Sequence, residues 1–328
     1  MKAIIYTEYG PADVLQFAEV AKPAPKDDEV LLRIHAASVN PLDWHFMRGS
    51  PYAMRLMSGL RRPKDNRLGV DLAGKVEAIG SNVTQFQPGD EVFGACRGAF
   101  AEYVCASEKA LVKKPANLTF EQAAAVPVAA FTALQGLRDK GRIQRGQKVL
   151  INGAAGGVGT LAVQIAKSFG ADVTGVCSTR NVGMVRSTGA DHIVDYTQED
   201  FTRSGQRYDL IFDTVGNHSL SDCRRALTPA GTFVMVGGPN EGRWLGALAG
   251  LLKVVALSWF VSQRLLPILA HFRKDDLIVV RELLAAGKVV PVIDRSYPLS
   301  AVPDAIRYLE EGHARGKVVI TMAHQGET

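Results

Sequence analysis

The sequence predicts an α/β fold in which a doubly wound parallel sheet is inserted into a partly antiparallel, barrel-like β domain. Three observations predict it. The first 120 or so residues consist of short β-type runs broken by Pro and Gly. From about residue 124 strands and helices alternate, the rhythm of a parallel sheet. After about residue 270 the pattern of the first part returns. The expected division is therefore 1–123 with 269–328 for the discontinuous β domain, and 124–268 for the sheet domain.

The β runs include Val30-Leu31-Leu32-Arg33-Ile34, Gly74 to Ile79, Glu91-Val92-Phe93 and Ala101 to Val104, with turn signals such as Gln87-Pro88-Gly89-Asp90 between them. An Ala-rich helix is expected over 123–137, then a strand at 148–151 and a helix from Gly159 to Phe169. Strands at 172–177, 192–195, 208–213 and 231–236 then alternate with helices at 181–188 and 218–227. The returning segment reads as a helix at 275–286, a strand at 289–293, a helix at 301–311 and a last strand at 317–322. Trp244 to Val261 is nearly uncharged, Lys253 being the exception. It fits a buried helix and strand or an apolar surface closing a dimer; a membrane-surface contact is the other reading.

Composition is that of a globular protein, 47% apolar and 22% charged. A formal net charge of +5, spread along the chain, gives no support to a nucleic-acid partner. There is no basic segment followed by a long apolar stretch at the start, and Cys96, Cys105, Cys177 and Cys223 form no C-x-x-C pair. A cytoplasmic, reducing location is expected, with the thiols acting as small hydrophobes.

Residues 149–160 read VLINGAAGGVGT, with four glycines between Gly153 and Gly159 where a strand hands over to a helix. A helix start presents unpaired N–H groups and a positive dipole end, which suits a phosphate. Gly156 and Gly159 match the second and third glycines of the dinucleotide fingerprint, Ala154 replaces the first, and Gly156, Gly157 and Val158 become the candidate phosphate cradle. The second strand of such a unit normally ends in an acid that binds the ribose 2′-OH. Here Asp172 to Cys177 is followed by Ser178-Thr179-Arg180. Two hydroxyls and a guanidinium suit a 2′-phosphate, so NADPH is the expected cofactor. Strand ends line the ligand crevice of an open sheet, which adds Val215 and Gly237 as candidates.

The ensemble MKAIIYTEYG, Ala36 to Asp43, Leu68 to Gly74, Gln87 to Val92, Gly153 to Gly159 and Gly316 to Val319 resembles the medium-chain dehydrogenase/reductase superfamily, in its zinc-free, quinone-oxidoreductase-like branch. The resemblance covers the whole chain. It implies a Rossmann sheet inserted into a GroES-like barrel, and a homodimer is expected. The zinc alcohol dehydrogenases of that superfamily have Cys where this chain has Asn40 and Gly-His-Glu where it has Gly69-Val70-Asp71. Near their later Cys it has Val128 and Ala129. Valine and alanine offer zinc no donor atom, so no metal is expected.

The resemblance also implies that Asn40 lies near the nicotinamide, that Thr132 contacts the cofactor and that Tyr196 lies near the 2′-phosphate. Lys317 either reaches the cofactor or is solvated. Without a Lewis acid the feasible chemistry is hydride transfer to an already electrophilic acceptor, a quinone or an α,β-unsaturated carbonyl. Asn40 either offers donor N–H groups to an oxyanion or is a satisfied turn amide before Pro41; His45, where the comparable reductases usually carry Tyr, is a second donor or a surface residue, and Tyr52 is a third candidate. Met47 to Asn66 is expected as a loop or short helix over the pocket. A cofactor-binding module with little turnover, or an alcohol/aldehyde oxidoreductase of the same superfamily, is the alternative.

Overall fold

The computed structural model describes residues 1–237 and 261–323. Trp244 to Phe260, and with them the dimer, membrane and buried-helix readings, lie outside the described residues. The strands are β1 (Lys2–Ile5), β2 (Gln16–Glu19), β3 (Glu29–Val39), β4 (Asp71–Ile79), β5 (Glu91–Ala95), β6 (Tyr103–Ser107), β7 (Leu111–Lys113), β8 (Lys148–Asn152), β9 (Asp172–Cys177), β10 (His192–Asp195), β11 (Tyr208–Asp213), β12 (Leu227–Met235), β13 (Arg264–Pro267), β14 (Ile293–Pro298) and β15 (Lys317–Thr321). The helices used below are α1 (Pro41–Arg48), α2 (Arg55–Ser58), α3 (Phe120–Ala124), α4 (Pro127–Leu134) and α5 (Gly157–Ser168).

The chain forms two compact units, one of Met1–Val128, Phe272–Ala286 and Pro291–Thr328, the other of Ala129–His271 and Gly287–Val290. The first carries a seven-stranded sheet ordered β14-β15-β3-β4-β5-β7, with β6 paired to β3. Its core joins Ile4, Tyr6, Leu32, Ile34, Leu72, Phe100 and Leu111 to Val318, Ile320 and Ile306, so the C-terminal segment completes the N-terminal barrel. β15 runs antiparallel to β3 with Val318 opposite Val39, and β3 pairs with β4 with Ser38 opposite Asp71. These two registers bring three distant stretches together at one end of the sheet.

The second unit is a six-stranded sheet ordered β10-β9-β8-β11-β12-β13, every pairing parallel. Strands of such a sheet are covered on both faces, which is why Val149-Leu150-Ile151 and Leu210-Ile211-Phe212 are unbroken apolar runs with at most 1% exposure. The α/β architecture, a Rossmann-type parallel sheet and a GroES-like barrel, is as the sequence implies.

Two expected elements differ. The helix over 123–137 is two helices, α3 and α4, because Pro127 cannot continue a helix but starts one well; a π-helical stretch, Gln135–Lys140, then follows. The strand expected at 289–293 lies at Ile293–Pro298 instead. Val290 is not in a sheet: its N–H donates to Gln164 Oε1 (2.7 Å) and its carbonyl accepts from Gln164 Nε2 (2.9 Å). A side chain on α5 thus satisfies the backbone that a sheet would otherwise have paired.

Candidate functional site

Each unit carries its own part of the expected machinery. In the parallel sheet, β8 ends at the turn Gly153–Gly156 and α5 begins at Gly157 with no side chain capping it. Gly156, Gly157 and Val158 are half-exposed between the buried Ala154-Ala155 and Gly159-Thr160. The glycines do different jobs. Gly153 has φ +82°, and a Cβ there would lie 2.3 Å from Thr214 Oγ1. A Cβ on Gly159 would lie 2.0 Å from the Gly153 carbonyl oxygen, so this glycine lets the helix sit against the turn. At Gly156 a Cβ would meet only Gly153 O, at 3.5 Å. That open approach to uncapped N–H groups fits the diphosphate of a dinucleotide.

The loop after β11 is held from inside. Asp213, 1% exposed, accepts from Asn152 Nδ2 (2.9 Å), Val215 N (3.0 Å) and Gly216 N (2.9 Å). This presents Val215 at the strand ends, 44% exposed. Gly237 lies alongside, and a Cβ there would be 2.3 Å from Thr214 O. Thr132 is half-buried on α4 between the buried Phe131 and Ala133.

At the end of β9 the expectation needs a correction. Ser178 and Arg180 are there, and Tyr196, 57% exposed, donates its N–H to the Cys177 carbonyl (3.0 Å). But the register pairs Asp195 with Cys177, so the neighbouring strand brings a carboxylate to a place where β9 itself has none. Thr179 Oγ1 donates to Asp195 Oδ2 at 2.6 Å. That bond, with others from Thr197 and Gln198, holds the Asp195 carboxyl below the usual range. Ser178 Oγ accepts from Asn181 Nδ2 (3.1 Å), which leaves its own hydrogen to donate outward. Of the hydroxyls read from the sequence, Ser178 accepts from Asn181 and Thr179 is engaged by an acid.

In the barrel unit the two registers set Lys317 beside Asn40 and Ser38 beside Asp71. Lys317 is 4% exposed, so the solvated reading is wrong, and its ammonium points inward. Its Nζ donates to Asn40 Oδ1 at 2.6 Å and lies 3.5 Å from both Asp71 Oδ2 and the Val39 carbonyl. Burial pushes the Lys317 pKa down, while Asp71 and Asp43 pull it back up. Asp71, fully buried, also accepts from Ser38 Oγ, Asn40 Nδ2 and the N–H of Val128, each at 2.9 Å.

This corrects the role expected of Asn40. An ammonium can only donate and a carboxylate only accept, so the amide orientation is fixed chemically. Both Nδ2 hydrogens are then used within the protein, toward Asp71 and the Ser38 carbonyl (3.3 Å), with none left for a substrate oxyanion. Zinc fares no better with this donor set. Asn40 Oδ1 already faces a cation, Asp71 already has four polar partners, and Val70, Val128 and Ala129 have no side-chain donor atom.

His45 also differs from expectation. It sits in the last turn of α1, stacked on Trp44 at 3.7 Å, with Nδ1 2.8 Å from the Ser50 carbonyl. A carbonyl only accepts, so Nδ1 carries the proton; burial lowers the pKa and keeps the ring neutral. Nε2 is then a lone-pair nitrogen, an acceptor where an oxyanion needs a donor. Tyr52 lies in a 3₁₀ turn, Tyr52–Met54, with the Arg55 guanidinium 4.6 Å over its ring. The segment from Met47 to Asn66 holds this turn and α2.

The structure therefore joins Asn40 to Lys317 in the barrel unit, while in the sheet unit Ser178, Arg180 and Tyr196 follow the ends of β9 and its neighbour β10. Sequence reasoning missed Asp71 as the hub of the buried cluster, Asp213 as the clamp on the strand-end loop, and Asp195 beside Thr179. All three stood in stretches already singled out, Asp71 in Leu68 to Gly74 and the other two at the ends of the strands expected at 208–213 and 192–195, beside Val215 and Tyr196.

A family model described as an alcohol dehydrogenase GroES-like domain matches residues 26–116, and one described as a zinc-binding dehydrogenase matches 188–320. The 2-methylene-furan-3-one reductase of Solanum lycopersicum is 36% identical over 98% of this chain and 79% of its own length. The chain belongs to the medium-chain dehydrogenases/reductases, in the quinone-oxidoreductase-like branch. The chloroplastic NADPH-dependent alkenal/one oxidoreductase of Arabidopsis thaliana is 35% identical, with the same shares covered. The quinone oxidoreductase structure from Coxiella burnetii superposes with a TM-score of 0.85 at 33% identity, covering 98% of this chain and 99% of that one. Membership makes the chain an oxidoreductase. No helix among the described residues is long and apolar enough to cross a membrane.

Proposed function

We propose that the chain is a zinc-independent, NADPH-dependent oxidoreductase that delivers hydride to quinones or α,β-unsaturated carbonyls. The observation that carries this reading is the buried Asn40–Asp71–Lys317 cluster, which engages Asn40, the residue standing where the zinc enzymes of the superfamily have a ligating Cys. With no Lewis acid to favour an alkoxide, the accessible acceptors are those whose own conjugation spreads the incoming charge. NADPH, when bound, supplies the hydride. Gly156, Gly157 and Val158 would hold its diphosphate, Ser178, Arg180 and Tyr196 its 2′-phosphate, and Thr132, Val215 and Gly237 its nicotinamide half.

Of the three candidates toward the substrate oxygen, Asn40 is engaged within its cluster and His45 presents an acceptor, which disfavours both as donors. A homodimer is part of the reading, supported by β13, the last strand of its sheet among the described residues, and by Leu269, 89% exposed, just after it. Cytoplasmic residence is supported by four free cysteines, which suit a reducing compartment.

Absorbance at 340 nm tests the function: NADPH with a quinone or an enone should be oxidised, and stoichiometric metal should be absent before and after chelator treatment. Tight NADPH binding without turnover on any acceptor would leave a binding module; activity lost to a chelator and restored by zinc would overturn zinc independence.

A further inference from the structure

A lysine with 4% exposure is costly to bury, and a buried ion pair is seldom kept for stability alone, since apolar residues of similar volume do as well. The partners of Lys317 say what it is kept for. Its shortest contact, 2.6 Å, is to the neutral Asn40 amide, while Asp71 stands at 3.5 Å. Asp71 in turn grips the other side of the same amide through Nδ2 (2.9 Å) and holds the N–H of Val128, the second residue of α4. Asn40 is clamped between a cation and an anion, and it is the residue from which α1 starts: its own N–H is held by Asp43 Oδ2 at 2.8 Å.

We propose that Lys317 is a positioning residue for the reaction: with Asp71 it locks the Asn40 amide, and through Asn40 it fixes the start of α1. It therefore sets the geometry of the reacting end and is no ligand of the cofactor. This rests on the oxidoreductase reading above and deepens it. α1 carries His45 and leads on to the Tyr52 turn, so the start of the segment bearing two candidate site residues is tied to one buried charge pair.

The test uses the full chain with NADPH and a quinone. Lys317→Met should lower kcat at least tenfold while the NADPH Kd, measured by binding fluorescence, changes less than twofold. Because that variant leaves Asp71 uncompensated, Lys317→Met/Asp71→Asn is compared with it. Recovery of Tm without recovery of kcat supports positioning; recovery of both reduces Lys317 to a packing role and overturns the proposal. A tenfold rise in NADPH Kd with kcat spared also overturns it, making Lys317 a cofactor ligand. Asn40→Ala should reproduce the loss, and Asn40→Ala/Lys317→Met should lose no more than either alone; multiplying losses contradict the clamp.

A wild-type chain that oxidises no NADPH sinks the function proposed above without touching the clamp. The clamp is then read by NMR from the Asn40 side-chain amide, whose protection from exchange should collapse in Lys317→Met and whose persistence would refute it.

Discussion

Asp43→Asn isolates a carboxyl whose burial has a direct consequence for stability. Asp43 is 1% exposed, and burial pushes its carboxyl up to about 7, with Asp71 adding to the rise and the Asn40 N–H and Lys317 opposing it. In the unfolded chain the group titrates near 4. An acid with a raised folded pKa holds its proton more tightly when folded. As pH climbs from about 4 to about 7, the unfolded chain has released that proton while the folded chain retains it, and stability falls throughout this window. Above the folded pKa the loss is complete. A difference of about 3 units at about 1.4 kcal/mol each gives a loss of about 4 kcal/mol. The amide introduced by the substitution keeps a carbonyl oxygen for the Asn40 N–H but never ionises. Removing the charge also takes an acidic neighbour from Lys317, which offsets part of the gain. Urea denaturation of both chains between pH 4.5 and 8 should show the variant gaining on wild type by about 2–4 kcal/mol across the window. A difference constant to within about 0.5 kcal/mol would refute the assignment of a titrating, buried Asp43.

Arg180→Ala should raise the NADPH KM by roughly tenfold or more, as expected for one charge-assisted hydrogen bond, and leave NADH kinetics unchanged; equal effects on both cofactors would contradict a 2′-phosphate contact. Gly159→Ala would put a Cβ 2.0 Å from a backbone oxygen, so α5 must shift, with a cost of about 1–3 kcal/mol in thermal or urea unfolding and weakened NADPH binding. An unchanged Tm would show that the turn yields freely. His45→Phe keeps a ring against Trp44 and removes the bond to Ser50, so stability should fall by about 1 kcal/mol while the kcat/KM pH profile keeps its shape. Loss of a limb between pH 5.5 and 8 would return His45 to the chemistry.

What the sequence made legible was local. The turn from Gly153 to Gly159 could be read because strand period, glycines and helix period follow one another within a few residues, and β9 and α5 fell where those patterns put them. Asn40 and Asp71 stood at positions where a metal ligand and its neighbour were missing, so their importance was legible while their roles were not. Asn40 was expected to donate outward. It donates inward, because Asp71 lies opposite Ser38 on the next strand, and no local pattern records that pairing.

Asp195 makes the same point from the other unit. The search for an acid at the end of β9 was correct about β9, yet a parallel sheet sets strand ends side by side, and β10 contributed the carboxylate. Lys317 was the hardest to read. Gly316-Lys317-Val318-Val319 has the form of a strand opening at a solvated edge, where a lysine is usually ordinary. Its burial follows only when β15 joins β3, which sets Lys317 against Asn40 across 277 residues and turns an edge position into the floor of a cluster. The chemistry of such a cluster depends on which donors are already engaged, and this is decided by register. In this chain an amide that seemed available to a substrate is fully occupied, and the charge that occupies it enters from the last strand. A reading from the glycine turn alone would therefore miss a cluster that exists only once β15 has returned to β3.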